Sequence, residues 1–199
     1  SNRNMLSHIL HMDRHELTKA LHGTLFRINL YSLDEHNLSL SDSLIEFFCD
    51  QGSRSLKSFF YERIKPKAIP LDYHQVDAHT TEHLIKLLNK KSKTPTNILI
   101  YGVPGTGKTS YAVGIAQKLD IPTYRIMPNI ESHAESCRVG IAACLNMTHG
   151  GKGSLIIVDD ADSTLNTVGS LSKMKGAKDK GWLNELLETK GSRIIWIAN

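Results

Sequence analysis

The sequence lacks the features that mark several large classes of protein. Its three cysteines, Cys49, Cys137 and Cys144, have no C-x-x-C spacing, so neither a disulfide framework nor a thiolate zinc site is indicated, and buried, reduced thiols are expected. No apolar run approaches the ~20 residues that a membrane-spanning helix needs, and the first residues have no apolar signal core. These absences favour a soluble, cytoplasmic protein with no membrane partner.

An excess of charge of one sign is also lacking. The formal net charge is only +4, and the lysines cluster only at residues 90–93 and 173–180. Short runs of this kind are more typical of solvated surfaces than of nucleic-acid sites, so the composition does not favour a nucleic-acid partner. What the chain does have is 40% hydrophobic residues over 199 positions, which is enough to bury a globular core.

A glycine-rich segment with the pattern G-x-x-x-x-G-K-[ST] follows an apolar run at residues 97–101. The glycines let backbone N–H groups turn toward phosphates, Lys108 can reach the β- and γ-phosphates, and the Thr109 hydroxyl can bind Mg²⁺. A helix that begins at Lys108 would add the positive end of its dipole to the same anion site. An ordinary glycine turn is the alternative, but the strand-loop-helix context favours a triphosphate. The predicted binding residues are Gly102, Val103, Pro104, Gly105, Thr106, Gly107, Lys108, Thr109 and Ser110.

Apolar strands alternate with helical patterns along the rest of the chain. Strands are predicted at residues 97–101, 123–127, 155–158 and 193–198, and helices at residues 108–119, about 131–147 and 181–190. This alternation is typical of an α/β fold in which helices cover both faces of a parallel sheet.

Carboxylates follow the strand predicted at residues 155–158. Because open parallel sheets gather their chemistry at the carboxyl ends of the strands, Asp159 is predicted to hold Mg²⁺ beside Thr109. Asp160 is predicted to act as general base on the attacking water. Asn199 ends the last predicted strand, where it would orient that water, although an ordinary strand end is the alternative. Asp160, Lys108 and Asn199 are thus the candidate catalytic residues.

The first part of the chain has a different pattern. Asp13 and Glu16 have the spacing of a capping box, residues 24–31 alternate like a strand, and Ser43 can cap a second short helix. Residues 1–65 therefore predict a small mixed α/β or helical module. It could be winged-helix-like, but no basic cluster marks a recognition helix.

Prolines then separate this module from the nucleotide-binding pattern. Residues 66–79 contain Pro66 and Pro70 and predict a linker. Thr80 can cap the helix that follows, so the nucleotide-binding domain is predicted to occupy residues 80–199.

Taken together, the three motifs resemble those of the AAA+ ATPases, and more narrowly those of the AAA family. Residues 102–109 match its Walker A motif, residues 155–162 resemble Walker B, and residues 197–199 resemble the sensor 1 strand. The resemblance implies a P-loop sheet of strand order 5-1-4-3-2, ATP and Mg²⁺ as ligands, ADP as product, and a homo-oligomeric, hexamer-like ring that remodels a macromolecule. It also implies contacts with adenine just before the first helix, at residues 73–76.

The chain departs from the family pattern in three places. Asp160 stands where the family normally has Glu, so the carboxylate is one methylene shorter and slow hydrolysis is expected. Residues 128–133 lack an aromatic-apolar-glycine pore loop, so peptide threading is not indicated. The sequence also stops at Asn199, before the fifth strand, arginine finger, sensor 2 and helical lid. A fragment that binds nucleotide weakly and barely hydrolyses it is therefore expected.

The sequence is compatible with three main functions. An ATP-hydrolysing remodelling protein is favoured by the complete phosphate loop. A nucleotide-gated scaffold with little hydrolysis is favoured by Asp160 and by the missing pore aromatic, and a DNA-acting AAA+ protein is the third. A kinase is less favoured, because Asp159, Asp160 and Asn199 suit the activation of water better.

Overall fold

A computed structural model divides the chain into two compact units, Ser1–Phe59 and Phe60–Asn199. The residues that the structure describes are 13, 15–16, 19, 31–33, 38–40, 45, 56–65, 67–89, 93–127, 133–148, 153–166 and 173–199.

In the first unit, Asp13 makes the contacts of the predicted capping box. Its Oδ1 accepts the backbone N–H of Glu16 at 2.8 Å, and its own N–H donates to Glu16 Oε2 at 3.4 Å. Two short strands, β1 (Tyr31–Leu33) and β2 (Leu38–Leu40), pair antiparallel, and a 3-10 turn covers Leu56–Phe59. Most of the strand predicted at 24–31 and of the helix capped by Ser43 lies outside the described residues, so the winged-helix module stays a prediction.

The second unit is built on a five-stranded sheet, which confirms the predicted α/β class. Its strands are β3 (Tyr61–Ile64), β4 (Thr96–Tyr101), β5 (Thr123–Ile126), β6 (Leu155–Val158) and β7 (Arg193–Ala198). They lie in the order β3-β5-β6-β7-β4, and all neighbouring pairs are parallel except β3 with β5. The four strands predicted from the sequence are β4, β5, β6 and β7. Numbered 1 to 4 along the chain, they lie in the order 1-4-3-2 of the expected pattern.

Helices lie between the strands along the chain. They are α1 (Ala78–Asn89), α2 (Lys108–Leu119), α3 (His133–Met147), the one-turn α4 (Asp162–Leu165) and α5 (Lys173–Leu187). The bounds of α2 are those predicted, whereas α5 begins and ends before the predicted 181–190.

The cap of α1 also differs from the prediction. Asp77 rather than Thr80 caps this helix, because Asp77 Oδ1 accepts the N–H of Thr80 at 2.8 Å. Hydrogen bonding from Thr80 holds the pKa of Asp77 below its usual value. The helix therefore begins earlier than Thr80, at Ala78.

The sequence does not predict strand β3, because residues 61–64 lie within the range of the predicted N-terminal module. Two of its four residues are charged, so the strand has little apolar pattern of its own. It is stabilised by pairing with β5, where Glu62 lies opposite Arg125 and its Oε1 accepts from Arg125 Nε at 2.8 Å. The sheet consequently has an antiparallel edge strand at the side away from β4.

The predicted linker is packed rather than extended away from the domain. Ala68 donates its N–H to Gln117 Oε1 of α2 at 2.9 Å, and the Leu71 side chain lies against Gly114. A 3-10 turn covers Leu71–Tyr73, and α1 begins within the predicted linker range. This segment therefore forms part of the second unit.

The core of the second unit lies between the sheet and its helices. Strands β6 and β7 are buried on both faces, as central parallel strands are. Ile115 of α2 packs with Ile157 and Ile195, all fully buried, and each such side chain contributes about 1.5–3 kcal/mol. Edge strand β4 instead alternates, so that Ile98 is buried and Leu99 is 53% exposed. The core thus fixes the carboxyl ends of β4, β6 and β7 side by side.

Among the residues described, no helix has both the length and the apolar character needed to span a membrane.

Candidate functional site

The phosphate loop joins β4 to α2. Gly105 and Gly107 have φ angles of 81° and 82°, in the left-handed region where a side chain is strained. The Thr106 hydroxyl donates to Val103 O at 2.8 Å and closes the loop on itself. Gly107 is the N-cap of α2, and its carbonyl oxygen accepts a hydrogen bond from the N–H of Tyr111 at 2.9 Å. The N–H groups of the preceding helical residues have no partner within the helix and form the donor end of its dipole.

Lys108 lies at the centre of the site. Its Nζ donates to Gly102 O at 2.8 Å and to Val103 O at 3.0 Å within the loop. It also donates to Asn199 Oδ1 at 2.8 Å, across 91 positions of sequence. The ammonium group therefore joins the loop after β4 to the end of β7.

Thr109 and Asp159 meet as the sequence predicts. The Thr109 hydroxyl donates to Asp159 Oδ2 at 3.0 Å and lies 3.3 Å from Oδ1. A hydroxyl and a carboxylate at this distance are hard oxygen donors of the kind that Mg²⁺ prefers when it also binds substrate phosphates. The donor set therefore fits Mg²⁺, with Thr109 and Asp159 as the residues that would hold it.

Asp160 lies beside Asn199. Its Oδ1 is 3.5 Å from Asn199 Nδ2, at the long limit of a hydrogen bond. Its φ of 49° is left-handed, a conformation that Asp tolerates better than most residues. The Asn199 amide is thus placed between the Lys108 ammonium group and the Asp160 carboxylate.

The remaining predicted binding residues lie on the loop and in the first turn of α2. Val103 and Pro104 are exposed on the loop, and Ser110 is partly buried in the first turn of α2. The fold therefore brings the predicted loop, the Asp159–Asp160 turn and Asn199 to one edge of the sheet.

One carboxylate of this edge was not assigned by the sequence reasoning. The two oxygens of Asp162 accept the backbone N–H of Asn199 at 3.0 and 3.2 Å. The signal that was available is its place as the third acidic residue after β6, in the turn Asp159-Asp160-Ala161-Asp162.

His74 lies on the other side of the loop. Its ring is edge-on to Tyr111, with centroids 5.4 Å apart, and its Nδ1 is 3.5 Å from the position that a Cβ on Gly107 would take. Tyr111 in turn shares a buried 2.9 Å hydrogen bond with Thr81 of α1. His74 Nε2 is buried and has no hydrogen-bond partner among the described residues. Of the residues 73–76 that the resemblance implied, His74 is thus the one that these contacts place against the start of α2.

Part of the second unit matches a known protein family. The sequence model of the ATPase family associated with various cellular activities (AAA) matches residues 98–198. The chain belongs to the AAA family. The matched region runs from β4 to β7, so it contains the phosphate loop and the turn after β6. AAA membership implies nucleotide binding, usually with Mg²⁺, and ATP-dependent activity, and AAA proteins typically form oligomeric rings.

Similar curated proteins are ATP-dependent zinc metalloproteases named FtsH. The ATP-dependent zinc metalloprotease FtsH of Mycoplasma genitalium is 24% identical over 164 residues, which cover 80% of this chain and 21% of that protein. FtsH of Mycoplasmoides gallisepticum is 26% identical over 164 residues, covering 80% and 19% respectively. FtsH of Malacoplasma penetrans is 28% identical over 101 residues, covering 48% and 12%. The chain thus spans at most about a fifth of the length of these relatives, so the likeness concerns one part of them.

Proposed function

We propose that the second unit binds ATP with Mg²⁺ and hydrolyses it to ADP and phosphate. The observation that carries this proposal is the hydrogen-bonded chain from Lys108 through the Asn199 amide to Asp160. Attack by water on a γ-phosphate requires a cation that binds the phosphate, a group that orients the water and a carboxylate that accepts a proton. In this site the ammonium, amide and carboxylate groups lie side by side.

Binding would use the loop and the first turn of α2. Lys108 Nζ donates to two loop carbonyls and to Asn199 Oδ1. We infer that phosphate oxygens replace some of these acceptors, while the helix N-terminus provides further donors. His74 is our candidate for the adenine side, since its buried Nε2 is unpartnered among the described residues.

Thr109 and Asp159 would hold Mg²⁺ in this scheme. Bound there, Mg²⁺ neutralises charge that develops on the phosphate oxygens. Thr109 would act as a direct ligand and Asp159 through the water shell of the ion, because Mg²⁺ retains several waters in such sites.

Asp160 and Asn199 would act on the attacking water. The water oxygen forms a bond to the γ-phosphorus as the bond to the β–γ bridging oxygen breaks, and Asp160 accepts the proton that the water loses. Asn199 orients the water through its amide. Lys108 stabilises the charge that passes to the leaving oxygens.

The biological use of this reaction is a further part of the proposal. We propose that hydrolysis is coupled to remodelling of a macromolecule by a homo-oligomeric ring in the cytoplasm. Family membership supports the ring. The segment at 128–132, in which no pore aromatic was found, lies outside the described residues.

A nucleotide-gated scaffold with little hydrolysis is the second candidate. The position of Asp160 favours it, because the carboxylate is one methylene shorter than the Glu of the family pattern and lies 3.5 Å from Asn199 Nδ2. In this case nucleotide binding would control assembly, and turnover would be incidental. A DNA-acting AAA+ protein has no comparable observation in its favour.

The test compares the intact protein with its Lys108→Ala variant. Phosphate release is measured at saturating Mg-ATP and again with excess EDTA, nucleotide binding is measured by titration, and mass is measured by light scattering with and without nucleotide. Since a hydrogen bond to a charged group is worth about 1.5–3 kcal/mol, Lys108→Ala should weaken binding about 10- to 100-fold and abolish turnover.

The control is Lys86→Ala, because Lys86 pairs with Glu82 at the surface and both side chains are more than two-thirds exposed. This variant should bind and hydrolyse like the wild type. Unchanged nucleotide binding by Lys108→Ala would refute the site. Nucleotide-dependent assembly with no Lys108-dependent turnover would support the scaffold instead.

A further inference from the structure

Asp162 connects the turn after β6 to the end of β7. The last paired residues of these strands are Val158 and Trp196. Beyond them, the Ala161 N–H donates to Ile197 O at 2.8 Å, and the Asn199 N–H donates to both oxygens of the Asp162 carboxylate, at 3.0 and 3.2 Å.

These bonds continue the contact between the strands after the parallel ladder has ended. In a parallel ladder, the strand partner offers a backbone carbonyl to an N–H at this position. Here the parallel ladder ends at Val158, and Asp160 has a left-handed conformation. The Asp162 carboxylate therefore takes the place of that carbonyl and holds the Asn199 backbone.

The same turn also faces the Asn199 side chain. Asp160 lies 3.5 Å from Asn199 Nδ2, while Lys108 Nζ donates to Asn199 Oδ1 at 2.8 Å. The turn thus contacts the main chain of Asn199 through Asp162 and its side chain through Asp160. A displaced backbone would move the amide relative to both of its partners.

We infer that Asp162 is a positioning residue for ATP hydrolysis, which fixes the Asn199 backbone so that its amide lies between Lys108 and Asp160. This inference rests on the function proposed above. Because a displacement of ~1 Å can cost about 100-fold in rate, Asp162→Ala should lower kcat about 10- to 100-fold. The affinity for nucleotide should change less than about threefold, because the Asp162 carboxylate bonds to the Asn199 backbone at the end of β7.

The test uses a conservative variant and a matched control. Asp162→Asn keeps a side-chain carbonyl that can accept the Asn199 N–H, so it should recover most of kcat. Glu188→Ala also removes one carboxylate, but Glu188 is exposed and precedes β7, at the opposite end of that strand, so kcat should not change. Melting temperatures exclude global unfolding as the cause of any loss.

A double variant tests whether Asp162 acts through Asn199. If it does, Asp162→Ala combined with Asn199→Ala should be no slower than Asn199→Ala alone, whereas independent roles would multiply the losses. Wild-type kcat in Asp162→Ala, no rescue by Asp162→Asn, or multiplied losses would each overturn the inference.

Two further measurements separate this inference from the proposed function. If wild-type turnover is abolished by Lys108→Ala but unaffected by Asp162→Ala, only the inference fails. If the wild type hydrolyses no ATP, the proposed function fails. In that case hydrogen exchange of the Asn199 backbone N–H still tests whether Asp162 holds the Asn199 backbone. Exchange about 10-fold faster in Asp162→Ala supports this contact, and unchanged exchange refutes it.

Discussion

Replacing Asp160 with Glu should speed hydrolysis. The Asp160 carboxylate lies at the long limit of a hydrogen bond from Asn199 Nδ2, at 3.5 Å, and Glu would extend its reach by about one C–C bond, ~1.5 Å. Since a ~1 Å misplacement of a reacting group can cost about 100-fold, Asp160→Glu should raise kcat about 10- to 100-fold.

The backbone conformation of Asp160 should make the Asp160→Glu protein less stable, and this loss can be measured separately from the rate of hydrolysis. Its φ of 49° suits Asp better than Glu, because the short side chain can hydrogen-bond locally in the left-handed region. We expect Asp160→Glu to lose about 1 kcal/mol of folding free energy. That loss should lower the melting temperature without lowering kcat at a temperature where the protein is folded.

The assay is steady-state phosphate release at saturating Mg-ATP, together with thermal unfolding of each variant. Asp160→Asn is the control, since Asn tolerates the same backbone conformation but cannot accept the proton, and its kcat should fall about 10²- to 10⁴-fold. Wild-type turnover equal to or above that of Asp160→Glu would refute the argument that the short carboxylate limits the rate.

Three further predictions concern stability. A Cβ on Gly140 would lie 2.8 Å from Ile126 Cγ2 and 2.9 Å from the Phe60 carbonyl oxygen, so Gly140→Ala should lose about 1–3 kcal/mol in urea unfolding. Gly181 lies in α5, and apart from its neighbours in the helix no atom of the described residues lies within 4 Å of the position that a Cβ there would take. Gly181→Ala should therefore gain about 0.5–1 kcal/mol, and a Gly140→Ala variant more stable than Gly181→Ala would contradict the packing. Burial raises the pKa of Cys144 to about 12, so above pH 9 its thiol ionises in the unfolded chain but stays protonated in the folded one. The free energy of unfolding should therefore fall as pH rises from 9 to 12, by about 1 kcal/mol for the first unit of pH. Cys144→Ala should make that decline smaller, and an identical decline in the two proteins would refute the assignment.

The strands and the phosphate loop were predictable because their signals are local. Residues 155–158 and 193–198 are continuous apolar runs, as central parallel strands require, and the α2 bounds follow from the loop that precedes them. Strand β3 was missed because Glu62 and Arg63 leave it little apolar pattern, and only the tertiary fold places Glu62 opposite Arg125. The packed segment before α1 was missed for a similar reason, since its prolines indicate a linker while its contacts with Gln117 and Gly114 come from the tertiary fold.

The sequence by itself determined the family, the α/β class and the identity of the candidate groups, because a glycine-rich loop and an apolar strand ending in carboxylates are contiguous patterns. Only the tertiary structure decided how those groups meet. The contact of Lys108 with Asn199, and that of Asp162 with the Asn199 backbone, join residues 91 and 37 positions apart. Such contacts exist only because parallel pairing places the carboxyl ends of β4, β6 and β7 at one edge of the sheet, and strand order is a property of the whole fold rather than of any segment.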